Sequence, residues 1–402
     1  MKSFAHPSSA RGRVRWPVGR PAWAAALPAL LLALVLVLTG CGGGVGTGGT
    51  GSFAAGPVTG FGSVIVNDIV FDDEQAVVED GEGTPRQRQE LRLGMTVEID
   101  AGPVQGGGAR ASRVRFDSAL VGPVAAVDRA AGSFTLLGQT VAVDDTTVFD
   151  PVLAGRLVPI VAGRLLEVYA VYDVERRRWR ATRIEARLAA AVYRVRGVVE
   201  ELDTAAQTLR VGDASFSYAG AAGAADALAV GRPARLLLRT QPLPDGRWQV
   251  LAYAAALREL DDRDTVVVRG LVTAAPALAR LRVDGRLVDA SAAQLPDGAP
   301  LPGQRVEVQG RMRAGVLQAT LVRLRSDQTE RERGFDLRGP IESVDAAAGS
   351  FVLRGLTVGS SRPDLRFEGG SAADLAAGRR VDVRAQLAAD GARLEATRIR
   401  FE

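Results

Sequence analysis

From residue 56 to its end the chain repeats one short pattern five times, and a repeat of this length restricts the fold to small units that each close on themselves. A strand start of the form Gly-(Pro/Val/Leu)-(Val/Ile) recurs at Gly56, Gly122, Gly197, Gly270 and Gly339, with spacings of 66, 75, 73 and 69 residues. A second landmark, a glycine opening an alternating strand, lies 33 to 41 residues further into each repeat, at Gly94, Gly163, Gly231, Gly303 and Gly378. A closing strand completes the set: Ala111-Ser112-Arg113-Val114, Ala181-Thr182-Arg183-Ile184, a degenerate version over Leu251 to Leu257, Ala319-Thr320-Leu321-Val322 and Ala396-Thr397-Arg398-Ile399.

Each repeat reads as three strands, a short alanine-rich stretch, then two more strands. Asn67-Asp68, Gly138-Gln139, Gly212-Asp213 and Asp284-Gly285 supply residues that tolerate the positive φ angles of two-residue hairpins. In the last repeat Ser371 can cap a helical stretch Ala372 to Ala377, with Gly378 as its stop. Three strands, a helical turn and two strands is the order of an OB-type barrel. The alternation of Val, Ile and Leu with Arg, Glu and Thr gives each strand one buried and one wet face. The expectation is therefore an all-β chain of five tandem small OB-like β-barrel domains, over 56–117, 118–190, 191–260, 265–326 and 335–402. Phe134, Phe216 and Phe351 read as core at equivalent strand positions. The linkers Glu259 to Asp264 and Ser326 to Arg333 are short and charged, and the array is expected to be elongated and only partly rigid.

The N-terminal residues set the address. Residues 1–23 hold Lys2, Arg11, Arg13, Arg15 and Arg20 with no acid, and Ala24 to Leu38 is uncharged and apolar, the pattern of a secretory signal. Fifteen residues fall short of the roughly 20 that span a bilayer. Leu38-Thr39-Gly40-Cys41 resembles a bacterial lipobox, which implies cleavage after residue 40 and a diacylglycerol on Cys41, the only cysteine. By the same resemblance Gly42, in place of Asp, favours the outer membrane of the cell envelope, with the mature chain facing the periplasm or the outside. Residues 41–55 then form the lipidated cysteine and a flexible glycine-rich tether.

Removal of residues 1–40 takes five of the 50 basic residues and leaves 45 against 46 acids, a net charge of about −1. Nothing in that balance favours nucleic acid as a partner. His6 and Lys2 are the only histidine and lysine and both leave with the signal. Ser-His-Asp, Cys-His, Ser-Lys and Schiff-base mechanisms, and His/Cys zinc or copper sites, lack their residues. Paired carboxylates are the one enzyme class that composition permits, and no pair stands apart, so no enzymatic activity, metal or cofactor is expected.

Thr59-Gly60-Phe61-Gly62-Ser63-Val64-Ile65-Val66-Asn67, Phe71-Asp72, the Gly-x-x-Val-Glu-Val strands and the Ala-Thr-Arg-Ile-Glu strands resemble the tandem bacterial domain of unknown function 5666. The first, second and fifth repeats fit it most closely, and the third departs at Arg235 and in its closing strand. The resemblance implies an exported lipoprotein of repeated β domains and no established activity.

Three stretches invite a chemical reading. Gly60-Phe61-Gly62-Ser63 resembles a phosphate loop, but a strand and not a helix follows it, so it reads as a turn. Asn67, Asp68, Asp72, Asp73 and Glu74 supply oxygen ligands without EF-hand spacing and read as a solvated strand end. Arg176-Arg177-Arg178-Trp179-Arg180 is the densest basic patch, flanked by Glu175 and Glu185; it is the candidate ligand-binding site, and a solvated hairpin tip is the plainer reading. The leading expectation is a non-enzymatic, lipid-anchored envelope protein presenting β domains for structural or adhesive contacts, and the alternative is an array binding glycan or another anionic polymer on its barrel faces. Partners are then the membrane, through Cys41, and an envelope protein or glycan. Cys41→Ala in cells is expected to move the chain from the membrane to the soluble fraction and to abolish its acyl modification in mass spectra; continued membrane association would contradict the lipobox reading.

Overall fold

The computed structural model describes residues 49–173, 176–258, 260–325 and 334–402. The signal segment, Cys41, the beginning of the tether and the Ser326 to Arg333 linker lie outside the described residues. Among the described residues the protein is all-β, and no helix is long and apolar enough to cross a membrane.

The second repeat shows how closure is achieved. Leu120–Asp128 pairs with Ser133–Leu136, which pairs with Gln139–Ala142. Gln139–Ala142 then runs parallel to Arg178–Ala186, which pairs antiparallel with Leu165–Asp173. Leu165–Asp173 returns to Leu120–Asp128. The strand order 1-2-3-5-4-1 is that of a five-stranded OB-type barrel. The same order of pairings is traced in the first, third, fourth and fifth repeats.

The three landmarks have physical reasons. The second-landmark glycines all adopt φ between 79° and 84°, a left-handed conformation that costs glycine little. Each donates its N–H to the carbonyl of the third residue of the first landmark: Gly94 to Val58, Gly163 to Val124, Gly231 to Val199, Gly303 to Val272 and Gly378 to Ile341, at 2.8 to 2.9 Å. Each of those residues donates its own N–H back, to the carbonyl of the residue after the glycine, at 2.9 Å. The two glycine motifs are thus the two halves of one clasp joining strand 1 to strand 4.

The third landmark stabilises a bulge. In four repeats the closing strand carries one extra residue opposite strand 4, and that residue is Ser112, Thr182, Thr320 or Thr397. Its hydroxyl donates to the carbonyl of Asp100, Tyr169, Gln309 or Arg384, at 3.0 to 3.1 Å. The third repeat keeps the bulge, between Leu237 and Leu238, but the extra residue is Leu251. This explains both its degenerate strand and an exposed leucine.

Four expectations need correction. The stretch 49–55 of the expected tether is not a leash: Gly49–Pro57 is a strand, paired antiparallel with Thr96–Ala101 and parallel with Arg263–Ala274. Main-chain pairing needs no side chains, so glycine is no obstacle there, and Phe53 is fully buried in the core of the fourth repeat. The guanidiniums of Arg258 and Arg286 lie 5.7 and 5.5 Å from its ring centroid. Nor are the repeats strung out, because the first pairs with the fourth through that strand and with the fifth through Gly60–Phe61 and Phe335–Pro340. The stretch after Ser371 is a single 3-10 turn, Ala372–Asp374, at whose start the Asp374 carboxylate accepts from the Ser371 amide and hydroxyl at 2.8 and 3.0 Å. The second-repeat hairpin turns at Leu137-Gly138, one residue earlier than expected.

Phe134, Phe216 and Phe351 are all buried. Phe134 and Phe351 lie on second strands, whereas Phe216 lies on a third strand, at the level of Phe71. Leu251→Thr would restore the missing hydroxyl beneath Leu237, and the exchange of the amides flanking the bulge is expected to slow by about 0.5–1.5 kcal/mol. Native-state hydrogen exchange measures this directly, and unchanged or faster exchange would show that the hydroxyl does not stabilise the bulge.

Candidate functional site

The five residues of the basic run do not share one surface. Arg176 folds back on Asp173, through its amide at 3.0 Å and its guanidinium at 3.2 Å. Arg177 reaches Glu200 of the third repeat at 2.6 Å, and this ion pair raises its pKa. Arg178 opens the closing strand opposite Asp173. Trp179 turns to the opposite face of that strand, is 7% exposed, and packs edge-on against Tyr172 with centroids 5.1 Å apart. Arg180 pairs with Asp144 at 3.3 Å. Trp248 is likewise packed, edge-on to Tyr193. The run is divided between a hairpin tip, a tie to the next repeat, a core and a cleft; Glu175 lies outside the described residues.

The acids after Asn67 are divided in the same way. Asp68 pairs with Arg269 at 2.6 Å, Asp73 with Arg88 at 2.6 Å and Asp72 with Arg110 at 3.6 Å. Asn67 is buried and donates to the Ala55 carbonyl at 3.0 Å. Gly60–Phe61 is the strand that meets the fifth repeat.

Arg180 leads to a cleft between repeats, about 360 Å³, lined from the first, second, fourth and fifth repeats. Five arginines reach it, Arg180, Arg269, Arg305, Arg325 and Arg384, together with Asp68, Asp145 and Asp336. Glu307 and Asp144 stand behind them: Glu307 is 7% exposed and holds Arg269 at 2.9 Å and Arg325 at 3.8 Å. Five guanidiniums therefore meet five carboxylates. The cleft is polar but close to neutral, and its charges tie repeats together: Asp68 of the first repeat meets Arg269 and Arg325 of the fourth, at 2.6 and 4.0 Å.

Two of these carboxylates are shifted in opposite directions. Burial alone would raise the pKa of Asp144, but Arg180, the Thr146 hydroxyl and amide, and Arg305 outweigh it and hold it below its ordinary value. Burial raises that of Asp336 and Asp382 adds to the shift, while Arg384 opposes it without prevailing. Removal of a charge from water decides the second case and paired cations the first.

Several further inter-repeat ties reach the first repeat. Arg258 reaches Glu98 and Asp100 at 3.3 and 2.9 Å. Arg194 reaches Glu82 at 2.7 Å, and Arg235 pairs with Asp117 at 3.4 Å and donates to the Gly81 carbonyl. Arg183 of the second repeat donates to the Leu93 carbonyl at 3.2 Å. Sequence reasoning missed these residues because partners such as Asp68 and Arg269 are separated by two hundred positions. One signal was present: Arg235 stands where the other repeats place Glu98, Glu167, Glu307 and Asp382, and this reversal matches the acids of the first repeat.

Strand order and clasp together define an all-β protein of OB-type barrel construction. The model of the family described as Domain of unknown function (DUF5666) matches three segments, residues 121–185, 269–323 and 338–400, which is consistent with a repeated DUF5666-domain protein. The second and fifth repeats are matched as expected and the third is not. The fourth is matched and the first is not, a reversal of the expected order. No curated protein matches the chain. A solved structure titled drosophila Unr CSD456 aligns with 52% of this chain and 97% of its own at 15% identity, with a TM-score of 0.14, a likeness too slight to support an argument.

The raised pKa of Asp336 has a definite sign. The folded state holds this proton to higher pH than the unfolded chain, so stability falls as pH rises from the ordinary value of 3.8 through the raised one. Asp336→Asn cannot ionise, so the variant is expected to have a higher urea midpoint than the parent at pH 7, with the gain disappearing as the pH falls below 3.8. A variant less stable at pH 7 would show that the carboxylate is needed as a partner for Arg384.

Proposed function

We propose that this chain is a non-enzymatic lipoprotein of the cell envelope, held at the outer membrane through Cys41, whose five tandem OB-like barrels assemble into one body for structural or adhesive contacts. The observation that carries the reading is the cross-repeat pairing of strands. Gly49–Pro57 bonds to Arg263–Ala274, Gly60–Phe61 to Phe335–Pro340, and Leu120–Asp128 to Tyr193–Val198. First strands that bond to other repeats lose freedom as independent display surfaces and gain rigidity as parts of a larger object.

The charge arrangement supports the same reading. Arginines are spent on carboxylates of neighbouring repeats, and the mature sequence has neither His nor Lys for the commoner catalytic mechanisms. OB surfaces that bind single strands or sugars usually offer stacking aromatics, whereas Trp179 lies in a core and Trp248 is half-buried against Tyr193. The alternative, an array for glycan or another anionic polymer, is supported by the arginines that reach the clefts.

Two measurements separate these readings, cross-linking in the native envelope and an array screen of the full-length chain in neutral detergent. The structural reading expects cross-linking in the native envelope to capture a reproducible protein partner, and a glycan and nucleic-acid array to give no selective signal at two salt concentrations. Selective, salt-sensitive glycan binding without such a partner would replace it with the alternative.

A further inference from the structure

Another cleft between repeats holds an arginine that no carboxylate pairs with among the described residues. The cleft lies where the first repeat's Phe61-Gly62-Ser63 turn meets the fifth repeat, encloses about 220 Å³, and is lined by Arg338, Arg354 and Arg380 with Glu402. Arg380 pairs with Glu402 at 3.1 Å. Arg338 shares the buried Asp382 with Arg398 and Arg400, at 3.0, 3.7 and 3.0 Å. Three lining guanidiniums thus meet one lining carboxylate, with the buried Asp382 behind Arg338.

Arg354 is the distinctive member. Among the described residues no carboxylate lies within ion-pair distance of it, and it is positioned by carbonyls instead. Its Nε donates to the Arg338 carbonyl at 3.1 Å and one Nη to the Gly62 carbonyl at 3.3 Å. It stands at φ 55° in the hairpin turn Arg354-Gly355, opposite the glycine turn of the first repeat. That turn approaches so closely that a Cβ on Gly62 would lie 2.6 Å from the Arg338 Cβ. A guanidinium fixed by two neutral acceptors keeps its full charge and has donors to spare.

We propose that this cleft binds an oxyanion group, a sulfate, phosphate or carboxylate, held by Arg354 and Arg380 with the Ser63 hydroxyl at the rim. Planar guanidinium donors match the paired oxygens of such groups, and charge-assisted bonds of this kind are stronger than neutral ones. The Gly60 to Ser63 loop contributes as a wall that admits the arginines, not as a strand-to-helix phosphate cradle. The site stands whether or not the chain is anchored through Cys41.

Calorimetric titration of the full-length protein in neutral detergent with sodium sulfate and sodium phosphate, at ionic strength held constant with sodium chloride, tests it. Saturable binding of one oxyanion per chain is expected, weakened on the order of tenfold in Arg354→Gln and in Arg380→Gln. Arg247→Gln, which removes a half-exposed arginine paired with Asp245 in the third repeat, should bind like the parent. Glucose 6-sulfate binding tighter than inorganic sulfate would identify a sugar-borne group, and equal affinity a free anion. Absence of saturable binding, parental affinity in Arg354→Gln, or an equal loss in Arg247→Gln would each overturn the proposal. Arg354 and Arg380 are exposed and Arg247 half-exposed, so unchanged thermal midpoints are expected and loss of fold does not complicate the result.

Discussion

The reciprocal pair of hydrogen bonds between the two glycine landmarks is the constraint on which the rest of the architecture depends. A five-stranded barrel has to bring its first and fourth strands together across some 35 residues of chain, and that closure has an entropic cost that grows slowly with loop length. Gly163 and Val124 show how it is met: one N–H at 2.8 Å in one direction, one at 2.9 Å in the other, at the point where both strands begin their pairing. Each bond contributes only about 0.5–1.5 kcal/mol net. Their importance is positional, because they set the register that places Val124 and Leu166 in the core and leaves Pro123 and Leu165 half-exposed. A residue with a Cβ at Gly163 would have to hold φ at 82°, which most side chains resist.

The clasp also explains why so much of the fold was legible. The spacing of two glycine motifs reports a contact between them, and the alternation between motifs reports which face is buried. The hydroxyl at the third landmark was visible as a recurring Ser or Thr, but its purpose was not, since a bulge is a property of two paired strands and only one of them carries the signal. Leu251 makes the point from the other side. The bulge persists there without the hydroxyl, so the backbone dictates the extra residue and the side chain only stabilises it. The strand at Gly49–Pro57 was hidden for a related reason. Glycine-rich composition argues against a core, but this strand borrows one, and Phe53 is its sole large contribution to the fourth repeat.

Contacts between repeats were much less legible, because they arise from charges whose partners lie far along the chain. Arg235 carried the clearest trace. Where other repeats place an acid on the fourth strand, the third has an arginine, and across from it stand Asp117 and Glu82. A repeat array drifts freely except where its members touch, so a sign reversal at one equivalent position marks a contact more reliably than a dense run does. The Arg176 to Arg180 run was the more conspicuous feature, yet a strand sends neighbouring side chains to opposite faces, and Trp179 went inward while Arg180 went to a cleft.

Burial makes these ion pairs selective as well as cohesive. An exposed pair contributes little, but breaking a buried one leaves an uncompensated charge at a cost of about 3–5 kcal/mol. Glu307, 7% exposed between Arg269 and Arg325, which also meet Asp68, is therefore a centre around which the first and fourth repeats have one favourable arrangement, and Asp382, 2% exposed among three arginines, is such a centre within the fifth. The two centres differ in what remains after pairing. Glu307 is joined by Asp68 of the first repeat through the shared Arg269 and Arg325, whereas Asp382 faces three guanidiniums of its own repeat, with Asp336 near enough for Asp382 to raise its pKa. The first arrangement uses its charge to join repeats. The second leaves part of its charge facing solvent, beside an arginine that two carbonyls already hold in place, so one pattern of strand-borne arginine and acid yields cohesion at one junction and a field for anions at the other.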